Sequence, residues 1–140
     1  MARTAAILVG RLIFAGVFAM AAIFKFIDIP GTATYIAAIG WPAPTLFAWL
    51  AAFFEVGLVL AFLTGLYFRE AAILAGAYVL FLAFAFHGPS HWAGNQAEFG
   101  FFVDHFSFIA GLLLAFAFGP GSKLILTGDR GPQPILNPSH

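Results

Sequence analysis

The chain has 140 residues, 62% of them hydrophobic and only 9% charged, with a formal net charge of zero. Soluble domains carry about 25% charged residues, and a mean hydropathy of +0.98 belongs to a membrane protein. Zero net charge offers no basic surface for nucleic acid, and the absence of cysteine excludes disulfides, thiolate nucleophiles, Fe–S ligation and covalent c-type haem attachment within the chain.

Four apolar segments, at about residues 5–27, 44–68, 69–87 and 99–118, are free of strong breakers. A bilayer crossing takes ~20 apolar residues as a helix. None of the four alternates apolar and polar residues as a barrel strand does, and lipid demands backbone groups satisfied within the segment. The expected fold class is therefore all-α, an integral membrane four-helix transmembrane bundle over residues 1–121. Nineteen phenylalanines supply a bulky surface for lipid or for a flat hydrophobic ligand.

In chain order, Arg3 precedes an apolar run and Ala19-Met20-Ala21 imitates a leader cleavage site. Arg11 interrupts that run, so it reads as a retained first span. Asp28-Ile29-Pro30-Gly31 ends it. The amphipathic stretch up to Pro44, with Tyr35 and Trp41, is expected at the membrane interface as a short helix or turn. Gly65 and Arg69-Glu70 mark a tight turn between spans two and three. Gly88-Pro89-Ser90 ends span three, Trp92 suits an interface, and Gly119-Pro120-Gly121 ends span four. Residues 122–140, rich in proline and polar residues, are expected to form an irregular cytoplasmic tail. Gly57, Ala61 and Gly65 on span two, and Gly111, Ala115 and Gly119 on span four, recur at a spacing that lets helix backbones approach closely.

An even number of spans puts both termini on one side. Arg3, Arg69, Lys123 and Arg130 fall there, against Lys25 at the edge of span one on the other. The positive-inside bias makes both termini cytoplasmic, an N-in/C-in arrangement. The loops with Trp41 and Trp92 then face the periplasm if the membrane is the bacterial inner membrane.

The ionisable residues inside the spans are the candidate functional groups, because such groups are costly in hydrocarbon. Glu55 is central: it lies near the middle of span two, and the nearest formally charged residue along the chain is Arg69. It reads either as a structural partner that sets helix register or as a binding or proton-handling group. Arg11, Ala15, Phe18, Ala22 and Lys25 share one face of span one. Arg11 is expected to pair with Glu55 or to snorkel to the surface, and Lys25 to pair with Asp28. On span three, Gly76, Ala83 and His87 share a face, as do Asp104, Ser107 and Gly111 on span four; both faces are expected to point inward. Lys25, His87, His91, Asp104 and His105 could thus gather in an outward-facing polar vestibule with Glu55 at its floor. Asp104 and His105 point about 100° apart on a helix, which favours a hydrogen-bonded helix start over a relay. His87, His91 and His105 are candidate metal ligands, although Gly88-Pro89 breaks the helix that an i,i+4 histidine pair requires.

These residues together resemble the DoxX family of small four-helix bacterial membrane proteins. The resemblance rests on Gly10-Arg11-Leu12-Ile13-Phe14 with Lys25 on the same helix, on Glu55-Val56-Gly57 followed by Leu63-Thr64-Gly65, on Arg69-Glu70-Ala71-Ala72, on Phe86-His87 and on Gly119-Pro120-Gly121. It spans about Leu8 to Gly121. The Ser-Leu-Asp-like sequence usual after the last motif is replaced by Lys123-Leu124-Ile125-Leu126. The family takes its name from membrane subunits of a thiosulfate:quinone oxidoreductase, so the resemblance implies a redox or quinone-linked role. Arg11, Lys25, Glu55, Arg69 and His87 are its family-pattern positions.

The leading expectation is an accessory or anchor subunit of a quinone-linked membrane oxidoreductase, with no intrinsic cofactor and a possible quinone groove. A flat apolar slot and proton donors are within the chain's means, but it lacks an electron donor, so a partner must supply electrons. The alternatives are a purely structural or assembly subunit of a larger membrane complex, and a small solute or ion transporter. The expected partners are the lipid bilayer and either other membrane-protein subunits or further copies of the chain.

Overall fold

The computed structural model describes residues 2–126. Five α-helices and one 3-10 turn account for most of them: α1 (Ala2–Ile27), α2 (Ile29–Ala38), α3 (Pro44–Thr64), α4 (Phe68–His87), the turn Pro89–His91, and α5 (Gln96–Phe118). Four of these, all but α2, are long and apolar enough to cross a membrane, and Phe24, Ile27, Phe53, Leu114 and Phe118 stand exposed on their surfaces. Such an apolar exterior is tenable only against lipid. The protein is an all-helical integral membrane protein.

The helix ends follow local chemistry. Asp28 separates α1 from α2, its Oδ1 accepting from the Gly31 amide at 2.8 Å, with Pro30 in the first turn of α2 where its missing N–H is harmless. α3 opens on Pro44 and closes at Gly65, whose φ of 75° is the left-handed cap that glycine adopts without strain. Span two was expected to continue to Phe68. It stops at Thr64 instead, and Phe68 opens α4, because the cap at Gly65 reverses the chain four residues earlier than hydropathy alone reveals. α1 starts three residues before the expected position, as does α5, where Gln96 and Glu98 extend the helix beyond its apolar stretch. Of the tail expected over 122–140, residues 122–126 form bends, and the remainder lies outside the described residues.

α1 packs mainly on α3, α4 mainly on α5, and α2 lies on α3. The main core joins Ala15 and Phe18 of α1, Leu58 and Phe62 of α3, Phe68, Ala71, Ala75 and Val79 of α4, and Leu112 of α5. The face expected on α1 is the buried one, including Arg11 at 2% exposure. The small-residue row on span two is different. A Cβ on Gly57 would meet nothing within 4 Å, whereas one on Gly65 would meet Ile125, on the segment after α5, so Gly57 makes no close helix–helix approach. Alanines do: Ala48 and Ala52 on α3, and Ala71, Ala72, Ala75 and Ala83 on α4, are buried. The α5 face with Asp104 and Ser107 is exposed rather than inward. The packed side of α5 is carried by Phe108, Ile109, Leu112 and Ala115, which rotates Asp104 away.

Two ends can be distinguished. The arginine end holds Arg3, the α3–α4 turn with Arg69 just inside α4, and Lys123 after α5. The tryptophan end holds Trp41 and Trp92 in the loops that follow α2 and α4.

Candidate functional site

The site grows from the tilt of side chains on antiparallel helices. A helical Cα–Cβ bond leans toward its own N-terminus. α1 and α3 run in opposite directions, so Lys25, two residues before the end of α1, leans down the bundle, and Glu55, in the middle of α3, leans up toward it. Their groups meet: Lys25 Nζ lies 2.7 Å from Glu55 Oε1 and 3.0 Å from Oε2. From α4, the Tyr78 hydroxyl donates to Oε1 at 2.8 Å. One carboxylate thus ties three helices together. It is 1% exposed, and at ~1.5 Å per residue it sits about 16 Å from one end of α3 and about 13 Å from the other. An unpaired carboxylate at that depth would be costly; here it accepts three hydrogen bonds.

Two sequence expectations are corrected by this geometry. Lys25 does not pair with Asp28, whose carboxylate caps α2. Arg11 neither pairs with Glu55 nor snorkels. It leans toward the arginine end, where α3 terminates with carbonyls that lack helical partners. Nε donates to Phe62 O at 3.0 Å and Nη2 to Leu63 O at 2.8 Å. The remaining donors reach the segment after α5: Nη1 to Pro120 O at 3.0 Å and Lys123 O at 2.7 Å, and Nη2 to Leu124 O at 2.9 Å. A guanidinium has five N–H groups, and all five are used on backbone carbonyls. Ala61 O takes the Gly65 amide and Thr64 O takes the Leu126 amide, so the C-terminus of α3 is fully capped. The positive charge also suits the negative end of the helix dipole. Arg69 performs a related service for α5, donating to Phe116 O at 2.9 Å.

The histidines sit toward the tryptophan end but do not form one cluster. His87 Nδ1 and Glu98 Oε2 lie 2.6 Å apart, the Trp92 indole N–H donates to His87 O at 2.8 Å, and the His105 ring is 5.1 Å from that of His87. His105 Nδ1 itself lies 2.6 Å from Phe101 O. His91 is exposed and bonds Ser90 at 3.2 Å. Among the described residues, no group of three or more histidines and carboxylates is arranged to hold a metal. The vestibule expected from Lys25, His87, His91, Asp104, His105 and Glu55 therefore separates into parts. Lys25 and His87 border one cavity. Asp104, His105 and Glu55 border a shallower cleft between α1 and α5. His91 lines neither.

The first cavity has a volume of about 420 Å³ and opens between α2, α3 and α4, within the range of small-molecule sites. Its walls are aromatic and braced in pairs: Tyr35 stacks on Phe86 with ring centres 4.8 Å apart, Trp41 meets Phe81 at 5.0 Å, and Phe54 meets Tyr78 edge-on at 5.1 Å. The polar exceptions include Lys25 and Tyr78, the two residues that bond Glu55. An apolar slot thus has one ammonium with an N–H to spare, Lys25, beside a phenol whose hydrogen is already given to the same buried carboxylate.

Tyr78 and Glu98 are the participants that sequence reasoning missed, and Trp92, expected only at the interface, also bonds His87. Tyr78 carried a signal: it is a lone phenol in the middle of an apolar span, and a buried phenol needs a partner. Glu98 looked like an ordinary acidic residue in the first turn of a helix.

A family model described as DoxX matches residues 6–88. Neither curated proteins nor solved structures give a match. The matched segment contains Arg11, Lys25, Glu55, Tyr78 and His87, and with them the Glu55 triad and the first cavity. It stops before α5, so Glu98, Asp104, His105 and the Gly119-Pro120-Gly121 motif, which the resemblance had included, lie beyond it. The match covers more than half of the chain, and the protein belongs to the DoxX family.

Proposed function

We propose that this protein is an accessory subunit of a membrane oxidoreductase and that its aromatic cavity receives the head group of a quinone. The observation that carries the reading is the cavity between α2, α3 and α4, apolar and aromatic on its walls, with Lys25 and Tyr78 at its polar end and Glu55 behind both. Quinone reduction takes up two electrons and two protons at the ring oxygens; the electrons must come from a reduced centre in the partner, since no such centre is built from these side chains. Lys25 gives two of its three N–H groups to Glu55 and can present the third to a carbonyl oxygen. Tyr78 spends its one hydrogen on Glu55 and so helps to hold the carboxylate in place, and Glu55 can return a proton to Lys25 through their direct contact. The excess of basic residues at the arginine end supports a cytoplasmic position for it, and with it a bacterial inner membrane as the setting of this reading.

The test uses purified protein and a short-chain quinone, read by quenching of tryptophan fluorescence, since Trp41 lines the cavity. Saturable quenching is expected, and Ala51→Leu, which adds bulk to the cavity wall, should abolish it. Unsaturable quenching, or quenching indifferent to that substitution, would overturn quinone binding. Mass spectrometry of gently solubilised native membranes tests the partner: a redox subunit in stoichiometric amount is expected, and recovery of this chain alone would count against an accessory role.

One observation favours a purely structural reading. Glu55 is almost fully buried, with both oxygens already bonded, as a register pin between helices would be. Glu55→Gln separates the two: under the quinone reading, turnover of the assembled complex falls while assembly persists, and under the structural reading assembly falls first.

A further inference from the structure

At the arginine end, away from the quinone cavity, α1 and α5 touch little and leave a groove of about 380 Å³ between them. Its walls include Ala6, Gly10 and Phe14 of α1 and Gly111, Leu114 and Phe118 of α5. A Cβ on Gly10 would meet nothing within 4 Å, so the α1 wall is recessed there. A Cβ on Gly111 would stand 3.1 Å from the tip of the Phe14 ring, so Phe14 bridges to α5 and closes the deep end.

Arg3 stands at the mouth, its guanidinium 5.5 Å from the centre of the Phe118 ring. The other polar residue along the groove is Arg11, whose five donors are all taken. Arg3 has no hydrogen bond or ion pair among the described residues, so its donors remain for a ligand. Arg69 and Lys123 add positive charge at the same end, against Glu70. An apolar groove beside lipid, headed by an unsatisfied guanidinium near the polar boundary, is complementary to a molecule with an acyl chain and an anionic head. Basic pockets of this kind on the cytoplasmic side of transmembrane helices suit anionic phospholipids. A quinone suits the groove poorly, because the walls below Arg3 offer no free donor for a second carbonyl.

We infer that the α1/α5 groove is a binding site for an anionic phospholipid, the acyl chain lying over Gly10 and Gly111 and the phosphate bonded to Arg3. The inference does not depend on the quinone reading. It is tested by native mass spectrometry of the full chain in mild detergent, titrated separately with phosphatidylglycerol and with phosphatidylcholine of the same acyl chains. For the first bound lipid, a preference of about fivefold for phosphatidylglycerol is expected, the worth of one basic contact near a membrane surface. Arg3→Gln should bring the two lipids close to parity, while Arg3→Lys should retain most of the preference. Gly10→Leu fills the groove from a position with open space and should weaken the first binding event for both lipids. Thermal unfolding without added lipid checks that the variants are folded. Equal affinity for the two lipids in the unsubstituted protein would overturn the site. So would a preference lost in Arg3→Gln while Gly10→Leu leaves the affinity for both lipids unweakened, since that pattern means diffuse surface attraction and no groove.

Discussion

Lys25 and Glu55 form a two-point contact inside the bundle, the ammonium lying 2.7 and 3.0 Å from the two carboxylate oxygens. The lysine side chain is 21% exposed and that of the glutamate 2%, so the pair is shielded chiefly on the carboxylate side. Removing one member of a buried pair is far worse than removing both, because a lone charge is left behind. Lys25→Met should therefore destabilise the protein by about 3–5 kcal/mol, and Lys25→Met with Glu55→Gln should recover a large part of that loss. Unfolding in mixed detergent, followed by circular dichroism, measures both. Additive effects of the two substitutions would show that the pair is not coupled.

Tyr78→Phe removes a single donor to Glu55 and keeps the ring that packs on Phe54. A hydrogen bond to a charged group contributes about 1.5–3 kcal/mol, so a loss of stability in that range is expected with the helical content unchanged. Under the quinone reading, the same variant binds a short-chain quinone more weakly in the fluorescence titration. Unchanged stability would mean that the hydroxyl makes no net contribution through Glu55.

Arg11→Lys keeps the charge but reduces the donors from five to three and loses the planar fork. At least two of the carbonyls at Phe62, Leu63, Pro120, Lys123 and Leu124 must then lose their partner. A loss of at least ~2 kcal/mol is expected, together with faster proteolysis after α5. A variant as stable and protease-resistant as the parent would show that water replaces the guanidinium at no cost.

Gly65→Ala carries two penalties. The residue has a φ of +75°, and an added Cβ would stand 2.6 Å from Ile125 Cγ2. The left-handed conformation alone costs about 1–2 kcal/mol for a residue with a Cβ. Adding Ile125→Ala should relieve the clash but not the backbone term, so the double variant should remain less stable than Ile125→Ala alone. Equal melting temperatures for those two proteins would refute the backbone argument.

The spans were legible because hydropathy and length are properties of single segments. α2 was legible from Asp28, Pro30 and the amphipathic stretch behind them. The buried face of α1 followed from helical periodicity. Pairing was harder, because it depends on which way side chains lean once helices are antiparallel. Arg11 and Lys25 share a face and both lean toward the N-terminus of α1, which brings Lys25 to Glu55 and carries Arg11 away from it. Composition alone makes either cation an equally good partner. Asp104 was misplaced for a related reason: the packed side of α5 is chosen by Phe108 and Leu112, and no charge on the helix records that choice. Arg11's acceptors were invisible because they are backbone carbonyls, which every residue possesses.

The five bonds of Arg11 also bear on biosynthesis. Arg11 lies on α1, which is made before the helices that supply its acceptors. Its acceptors on α3 appear 51 and 52 positions later, and the rest 109 to 113 positions later. Until residues 120–124 have been made and folded back, the guanidinium has at most two of its five final partners. The cation buried in α1 is therefore among the last groups of the bundle to have its hydrogen bonds completed, and a chain truncated before α5 ends would leave three of its five N–H groups without their acceptors.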